Sequence, residues 1–410
     1  MTLRTDAAKI IQSALLGAQP DFAVLQALSH LQLHPAGRLL VLAVGKAAWQ
    51  MAQAAVKELG PKINQGLVIT KSGHNRGPLP GFTCLEAGHP LPDNRTFTAT
   101  EQALALVHNL SPHDTVLFLL SGGGSALFEK SPLSLEELQG ITQQLLACGA
   151  SITQINTIRK RLSLVKGGRF AMHCAPAHVF TIVLSDIIGD PLDMIASGPA
   201  FPDGSTCAEA QALVHRYQLH LSPAARELLT HETPKLLTNV ETHITGNVKI
   251  LARAAAAACT HLGYKTQILT TSMAGEARAA GKFLAALACT QPPYKQKLAY
   301  ICGGETVVKV TGTGTGGRNQ EIALSAAAGI AGLKDVVIFS FSSDGTDGPT
   351  DAAGGLVDGT TASLLTRAGY TIETALQNND AYPALKAVDA LIKTGPTGTN
   401  VNDLSILLCK

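Results

Sequence analysis

Three continuously apolar runs of strand length constrain the fold more than any other feature: Arg38-Leu-Leu-Val-Leu-Ala-Val44, Asp114-Thr-Val-Leu-Phe-Leu-Leu120 and His178-Val-Phe-Thr-Ile-Val-Leu184. A strand with one wet face alternates apolar and polar residues; these do not alternate, so both of their faces must be covered. Each run closes on a glycine or Ser/Asp loop (Gly45-Lys46, Ser121-Gly-Gly-Gly-Ser125, Ser185-Asp186), and a helical pattern follows. Strand, loop and helix in alternation predict an α/β fold with a parallel sheet between helical layers. Ligands of such sheets bind outside the carboxyl ends of the strands, where these loops fall.

At 410 residues the chain exceeds one ordinary core. Polar, proline-bearing text (Pro202-Asp-Gly-Ser-Thr206, then Thr233-Pro234) marks a boundary between an N-terminal Rossmann-like domain, 1–240, and a smaller mixed α/β domain, 241–410. In the second, 248–259 reads as a helix and 264–269, 335–340 and 404–408 as strands. Residues 298–302 and 306–310 read as a hairpin joined by Gly303-Gly304-Glu305.

With 32 basic and 30 acidic residues the net charge is +2, which provides no global field for nucleic acid or an anionic membrane. The N-terminus has apolar residues at 7, 10, 11, 15 and 16 with charges between, an amphipathic helix and not a signal-peptide core. No run approaches the roughly 18 apolar residues that cross a bilayer. The eight cysteines form no Cys-x-x-Cys pair and have no histidine at ligand spacing, so they read as small buried residues in a reducing compartment. A cytoplasmic protein is expected.

Gly312-x-Gly314-x-x-Gly317 matches the dinucleotide-binding fingerprint letter for letter. Its context is wrong: the run before it is short, carries Lys309 and is expected to be the second arm of a hairpin, whereas the fingerprint needs a buried first strand. A glycine loop entering a helix at Arg318-Asn319-Gln320-Glu321 suits an anion instead, with backbone N–H groups of Gly316 and Gly317 and the guanidinium of Arg318 turned to it. Lys46 likewise sets a cation at a helix start, without the spacing of a Walker loop. Ser121, Gly122, Gly123, Gly124 and Ser125 could form a concave nest for phosphate oxygens. The segment 155–169 holds Arg159, Lys160, Arg161, Lys166 and Arg169. It reads as a helix begun at an asparagine and stopped by Gly-Gly, largely a solvated face with one or two charges available to a cleft.

Carboxylates cluster in two loops: Asp186, Asp190 and Asp193, then Asp344, Asp347 and Asp351. Neither has EF-hand spacing; either could hold one Mg2+ through one or two carboxylates, and Asp at such turns is also ordinary capping chemistry.

Taken together the chain resembles the glycerate 2-kinases whose C-terminal half is a MOFRL domain. The resemblance rests on Val-Gly-Lys-Ala (44–47), Gly-His-Pro-Leu-Pro-Asp (88–93), Ser-Gly-Gly-Gly-Ser-Ala-Leu (121–127), Ile-Asn-x-Ile-Arg-Lys (155–160), Leu-Ser-Asp-Ile-Ile-Gly-Asp (184–190), Ile-Ala-Ser-Gly-Pro (195–199), Gly-Gly-Glu-Thr (303–306), Gly-Gly-Arg-Asn-Gln-Glu (316–321), Asp-Gly-Thr-Asp-Gly-Pro-Thr-Asp (344–351) and Gly-Pro-Thr-Gly-Thr-Asn-Val-Asn-Asp (395–403). It implies ATP-dependent phosphorylation of D-glycerate at its 2-hydroxyl with a divalent metal such as Mg2+, in a cleft between two domains. It also implies that Lys46 and Arg318 are the functional cations. Asn156, Arg159, Lys166, Ser197, Glu305, Asp344, Asp347 and Asn400 join the 121–125 loop as expected substrate or nucleotide contacts, with Asp186 and Asp190 as metal ligands. Arg161 departs from the histidine expected after the Arg-Lys pair. D-Glycerate and ATP are the expected partners, with no nucleic acid and no membrane, and a homodimer is compatible. Some relatives carry the label hydroxypyruvate reductase, so an NAD(P)H-dependent reductase is the alternative.

Overall fold

The computed structural model describes residues 2–185, 187, 189, 191–290 and 296–410. It divides into two compact units, Pro20–Thr245 and Met1–Gln19 with Gly246–Lys410.

The unit Pro20–Thr245 is built on a six-stranded sheet: β1 (Leu39–Val44), β2 (Ile63–Lys71), β3 (Phe82–Ala87), β4 (Thr115–Leu120), β5 (His178–Leu184) and β6 (Val240–Gly246), in the order β3-β2-β1-β4-β5-β6. The pairs from β3 to β5 are all parallel. Alternate residues enter two separate cores. Leu40, Leu42, Val44, Val116, Phe118 and Leu120 pack on one face, and Leu39, Val41, Ala43, Leu117 and Leu119 on the other, which is why the strands read as unbroken apolar runs. The chain moves outward from β1 to β3 and then crosses to β4 on the other side of β1. The order therefore reverses between β1 and β4, the place where an open parallel sheet leaves a crevice at its carboxyl edge.

The other unit holds a mixed sheet: β7 (Lys265–Met273), β8 (Leu298–Gly304), β9 (Val336–Ser342), β10 (Gly354–Asp358), β11 (Leu391–Ile392) and β12 (Asp403–Cys409), ordered β11-β10-β9-β12-β8-β7. β7 and β8 run parallel and the remaining neighbours antiparallel. The amphipathic N-terminal helix Leu3–Gly17, capped by the Thr2 side chain, belongs to this core. Its Leu3, Ala7, Ile10 and Ile11 pack with Val248, Leu251 and Ala255. The sequence grouped these first residues with the domain 1–240; they lie instead in the unit containing the C-terminal half.

The hairpin expected at 298–310 does not form. β8 continues through Gly304, and 306–310 contains no strand: Val307 makes one isolated parallel bridge to Glu276. The pairing of β8 is already complete with β7 and β12, so a second arm has no free edge to join. The eight cysteines form no disulfide; Cys174, Cys259, Cys302 and Cys409 are buried and Cys289 is exposed. Among the described residues no helix is long and apolar enough to cross a membrane.

Candidate active site

In the unit Pro20–Thr245 the loops after β1 and β4 are latched together at the reversal point. The Lys46 N–H donates to the Gly122 carbonyl (2.9 Å), and the Ala47 N–H donates to Ser121 Oγ (3.1 Å). A Cβ on Gly45, whose φ is +123°, would lie 2.2 Å from Ser121 Oγ, so this contact requires glycine. Gly123 (φ +86°) does the same on the other loop: its Cβ would fall 3.1 Å from the His89 ring and 3.3 Å from Lys46 Cγ. The glycines thus allow strand-end loops to touch. Ser121 is spent on that latch, and the helix Gly124–Leu127 is a single turn.

Lys46 stands out electrically. Its side chain is half-buried, and its ammonium has no ion pair or hydrogen bond among the described residues. The Nδ1 of His74 lies 3.0 Å from the Lys46 carbonyl, and His89 lies against the same loop. Burial, then the charges of Lys46, Lys71 and His74, hold the His89 pKa below the ordinary imidazole value.

Several expected residues meet behind the Ser121–Ser125 loop. The Ser125 and Ser197 hydroxyls are 3.1 Å apart, and Ser197 donates to Asn156 Oδ1 (3.0 Å). Arg159 donates from Nη2 to the Ser125 carbonyl (3.0 Å). The helix carrying them spans Ile152–Leu162 and begins at a capping box of Ser151 and Gln154, four residues before the sequence start signal Asn156 could act.

The solvated face expected of this helix is overturned. Lys166 is fully buried, its Nζ 3.1 Å from Glu129 Oε2 and donating to the Phe128 carbonyl (2.7 Å), so it cannot contact substrate. Burial is the main cause that brings its pKa down to about 8. Lys160 pairs with Asp193 (3.1 Å) and Asp203 (3.2 Å). Arg161 is also buried, bound to Glu232 (3.2 Å) and the Ser205 carbonyl (2.7 Å). Its departure from the family pattern therefore falls in an internal ion network. The acids that neutralise this segment come from distant parts of the chain, which a sequence window does not see.

In the other unit the reading of the Gly316–Arg318 loop changes in detail. At the start of helix Arg318–Gly329 the N–H groups of Asn319 and Gln320 are occupied within the chain. They are taken by Asp347, whose oxygens accept from Asn319 N (3.2 Å) and Gln320 N (2.9 Å). Gly317 must be glycine because a Cβ there would sit 2.3 Å from the Asp347 carboxyl carbon. Burial raises the Asp347 pKa to about 6, against the lowering by those two N–H groups. Gly312 and Gly314 pack on Asn378, where a Cβ would come within 2.4 and 2.5 Å of backbone atoms, so the fingerprint glycines serve close chain packing.

Arg318 is held by two carboxylates. Its Nη2 donates to buried Asp403 (3.0 Å) and its Nη1 lies 3.0 Å from the exposed Glu305. Burial opposes its charge, but Asp403 and Glu305 outweigh burial and hold its pKa above the ordinary value. Asn402 also donates to Glu305 (3.2 Å), and Asn400 is half-buried two residues away. Asp344 accepts from Ser342 Oγ (2.9 Å) and Thr346 N (2.9 Å), a turn-forming role. Asp186 and Asp190 lie outside the described residues. The sequence singled out neither Asp403 nor the bases Lys71, His74 and His89; their common position at strand ends was the signal available.

Comparison with known proteins decides the family. Residues 6–230 match the model described as "Domain of unknown function (DUF4147)", and residues 298–403 match the MOFRL family. The chain is 50% identical to the D-glycerate 2-kinase of Thermotoga maritima, over 99% of this chain and 98% of that protein. The chain belongs to the glycerate kinase family. A crystal structure titled glycerate kinase from Thermotoga maritima superposes with a TM-score of 0.96 at 50% identity, covering 100% of this chain and 99% of that one. A protein named putative hydroxypyruvate reductase from Agrobacterium vitis is 37% identical over 98% of this chain and 93% of its own length.

Proposed function

We propose that this glycerate kinase family member transfers the γ-phosphoryl group of ATP to the 2-hydroxyl of D-glycerate, giving 2-phospho-D-glycerate and ADP. It is a phosphotransferase with an alcohol acceptor. The observation that carries the reading is Lys46, a cation without a counterion among the described residues, fixed at the reversal point of a parallel sheet by the Gly45 and Gly123 contacts. Its setting is a chain half identical, over its full length, to a D-glycerate 2-kinase.

Phosphoryl transfer passes through a loose transition state in which positioning and charge neutralisation supply most of the acceleration. Among the described residues Lys46 has no ion pair that an incoming anion must break. Arg318 is oriented by Asp403, and the end of its guanidinium faces the exposed Glu305, a carboxylate that an anionic substrate group can replace. We assign Lys46 and Arg318 to the reacting anions, the loop Ser121–Ser125 to the wall beside Lys46, and Asn156, Arg159 and Ser197 to holding that wall. Mg2+ enters as part of the nucleotide substrate. Among the described residues no three His, Cys, Asp or Glu side chains converge, and the expected ligands Asp186 and Asp190 lie outside those residues.

The reductase reading has little support in the glycine loop, because its fingerprint glycines are packed against Asn378. The reaction is assigned to the cytoplasm, in keeping with eight cysteines that form no disulfide. A spectrophotometric comparison tests the function: ATP consumption with D-glycerate against NADH oxidation with hydroxypyruvate. The first is expected; the second without the first would overturn the proposal.

A further inference from the structure

Three carboxylates act on Arg318: Asp403, Glu305 and Asp347. Two of them are spent. Asp403 is 3% exposed and holds the guanidinium through Nε and Nη2, and Asp347 caps the helix that Arg318 begins. Glu305 differs. Its side chain is 43% exposed, and its Oε1 lies 3.0 Å from Arg318 Nη1, the nitrogen that Asp403 does not take.

The chain fixes where Glu305 stands. It follows β8 directly, and its N–H donates to the Met273 carbonyl at the end of β7 (2.9 Å). Gly304 before it has φ +153°, and a Cβ there would lie 2.1 Å from that same carbonyl oxygen, so the two strands touch at this point. From the residue before β12, Asn402 Nδ2 donates to Glu305 Oε2 (3.2 Å). Asn402 is 4% exposed and has φ +66°, a left-handed backbone that a non-glycine residue keeps only where its surroundings impose it. One oxygen of Glu305 is thus tethered to a rigid corner, while the other makes a contact that solvent and solutes can reach.

An α-hydroxy acid brings two groups to this corner. Its carboxylate matches Arg318 Nη1, and its 2-hydroxyl sits on the adjacent carbon. A substrate that replaces Glu305 on the guanidinium therefore brings its hydroxyl beside the carboxylate it displaced. Glu305 then gives up direct contact with a cation and gains a neighbouring anion, a change that makes a carboxylate a better proton acceptor. The reaction needs such an acceptor, because the hydroxyl proton must leave as its oxygen bonds to phosphorus.

We propose that Glu305 is the general base of the transfer, receiving the proton of the substrate 2-hydroxyl. The hydroxyl oxygen forms a bond to the γ-phosphorus, and the bond from that phosphorus to the oxygen bridging to the β-phosphate breaks, its electron pair leaving on ADP. The proton passes to Oε1 of Glu305. Exposure then serves turnover, since Glu305 returns the proton to water. The assignment rests on the kinase reading and deepens it.

The test compares full-length wild type with Glu305→Gln, which keeps the shape of the side chain and loses the base. Asp403 continues to hold Arg318, and melting temperatures confirm the fold. With ATP and D-glycerate saturating, kcat falls about 100-fold, the low end for general base catalysis, because a loose transition state keeps the hydroxyl proton until late. Calorimetric titration of D-glycerate without ATP shows binding at least as tight as in wild type, because the competing carboxylate is gone. Turnover within about two-fold of wild type overturns the role, and so does weakened D-glycerate binding with kcat retained, which would make Glu305 a binding contact. Glu305→Ala is measured alongside and decides by the same readings if the glutamine variant does not fold. A wild type that consumes no ATP with D-glycerate refutes the kinase reading itself; an active wild type whose rate survives Glu305→Gln refutes the base alone.

Discussion

Asp347 caps the helix that Arg318 begins: its two carboxylate oxygens accept from the backbone N–H groups of Asn319 and Gln320 at 3.2 and 2.9 Å. The carboxylate is 2% exposed, so nothing from solvent can replace it. Asp347→Ala leaves two buried donors unsatisfied and removes the charge from the positive helix end, which costs about 2 kcal/mol. Thermal unfolding measures the loss.

The same residue gives a pH dependence with a definite sign. Its folded-state pKa, about 6, lies above the ordinary carboxylate value. Its contribution to stability is therefore complete at pH below the unfolded-state value and is lost as pH rises through about 6. Between these limits wild type loses stability with rising pH relative to Asp347→Asn. A difference between the two that stays flat across this range would contradict a buried, titrating cap.

Lys46 and Arg318 separate function from stability differently. Lys46 has no described partner, so Lys46→Ala removes activity while melting stays close to wild type; kcat falls by about 100-fold or more, as when one donor to a developing charge is lost. Arg318→Ala also removes activity, but it strands Asp403, which is 3% exposed, and breaking a buried pair in this way costs about 3 to 5 kcal/mol. Arg318→Lys keeps the charge and part of the stability while losing the two-pronged contact with Asp403. Kinetics and calorimetry on the three variants check the contrast.

Lys166 and Glu129 are both completely buried and 3.1 Å apart. Removing Lys166 leaves buried Glu129 with only the longer contact to Arg159 (3.8 Å), so Lys166→Met is destabilising by about 3 kcal/mol, and adding Glu129→Leu restores part of the loss. A double variant no more stable than Lys166→Met would show that the pair is not what holds these residues.

Gly123→Ala tests the contact between the β4 loop and the loop that carries Lys46. With φ at +86° and the His89 ring 3.1 Å from the added Cβ, the loop must shift. The substitution raises the KM for ATP more than it lowers the melting temperature, because the loop lies at the surface of the sheet edge.

The parallel sheet was legible because β1, β4 and β5 bury both faces and so spell unbroken apolar runs. The position of Lys46 followed from the same pattern. The hairpin after β8 was misread because Thr306-Val-Val-Lys-Val310 has strand composition, but β8 already had neighbours on both sides, a fact of sheet order that local text does not contain. The burial of Lys160, Arg161 and Lys166 was hidden for a related reason. Their partners Glu129, Asp203 and Glu232 are distant in sequence, so a local charge count sees only the basic half of a neutral network. Arg318 was correctly seen at a helix start, but its anion was taken to be a ligand when Asp403, 85 residues away, already held one side of it.

The position of the transferred phosphoryl group tests the central claim most directly. Phosphorus NMR of the product formed from ATP and D-glycerate reads the number of protons on the carbon bearing the ester. The 2-phosphate has a single methine proton and gives a doublet from the coupled phosphorus. A triplet from the methylene of the 3-phosphate, or no phosphate ester at all, would contradict the assignment.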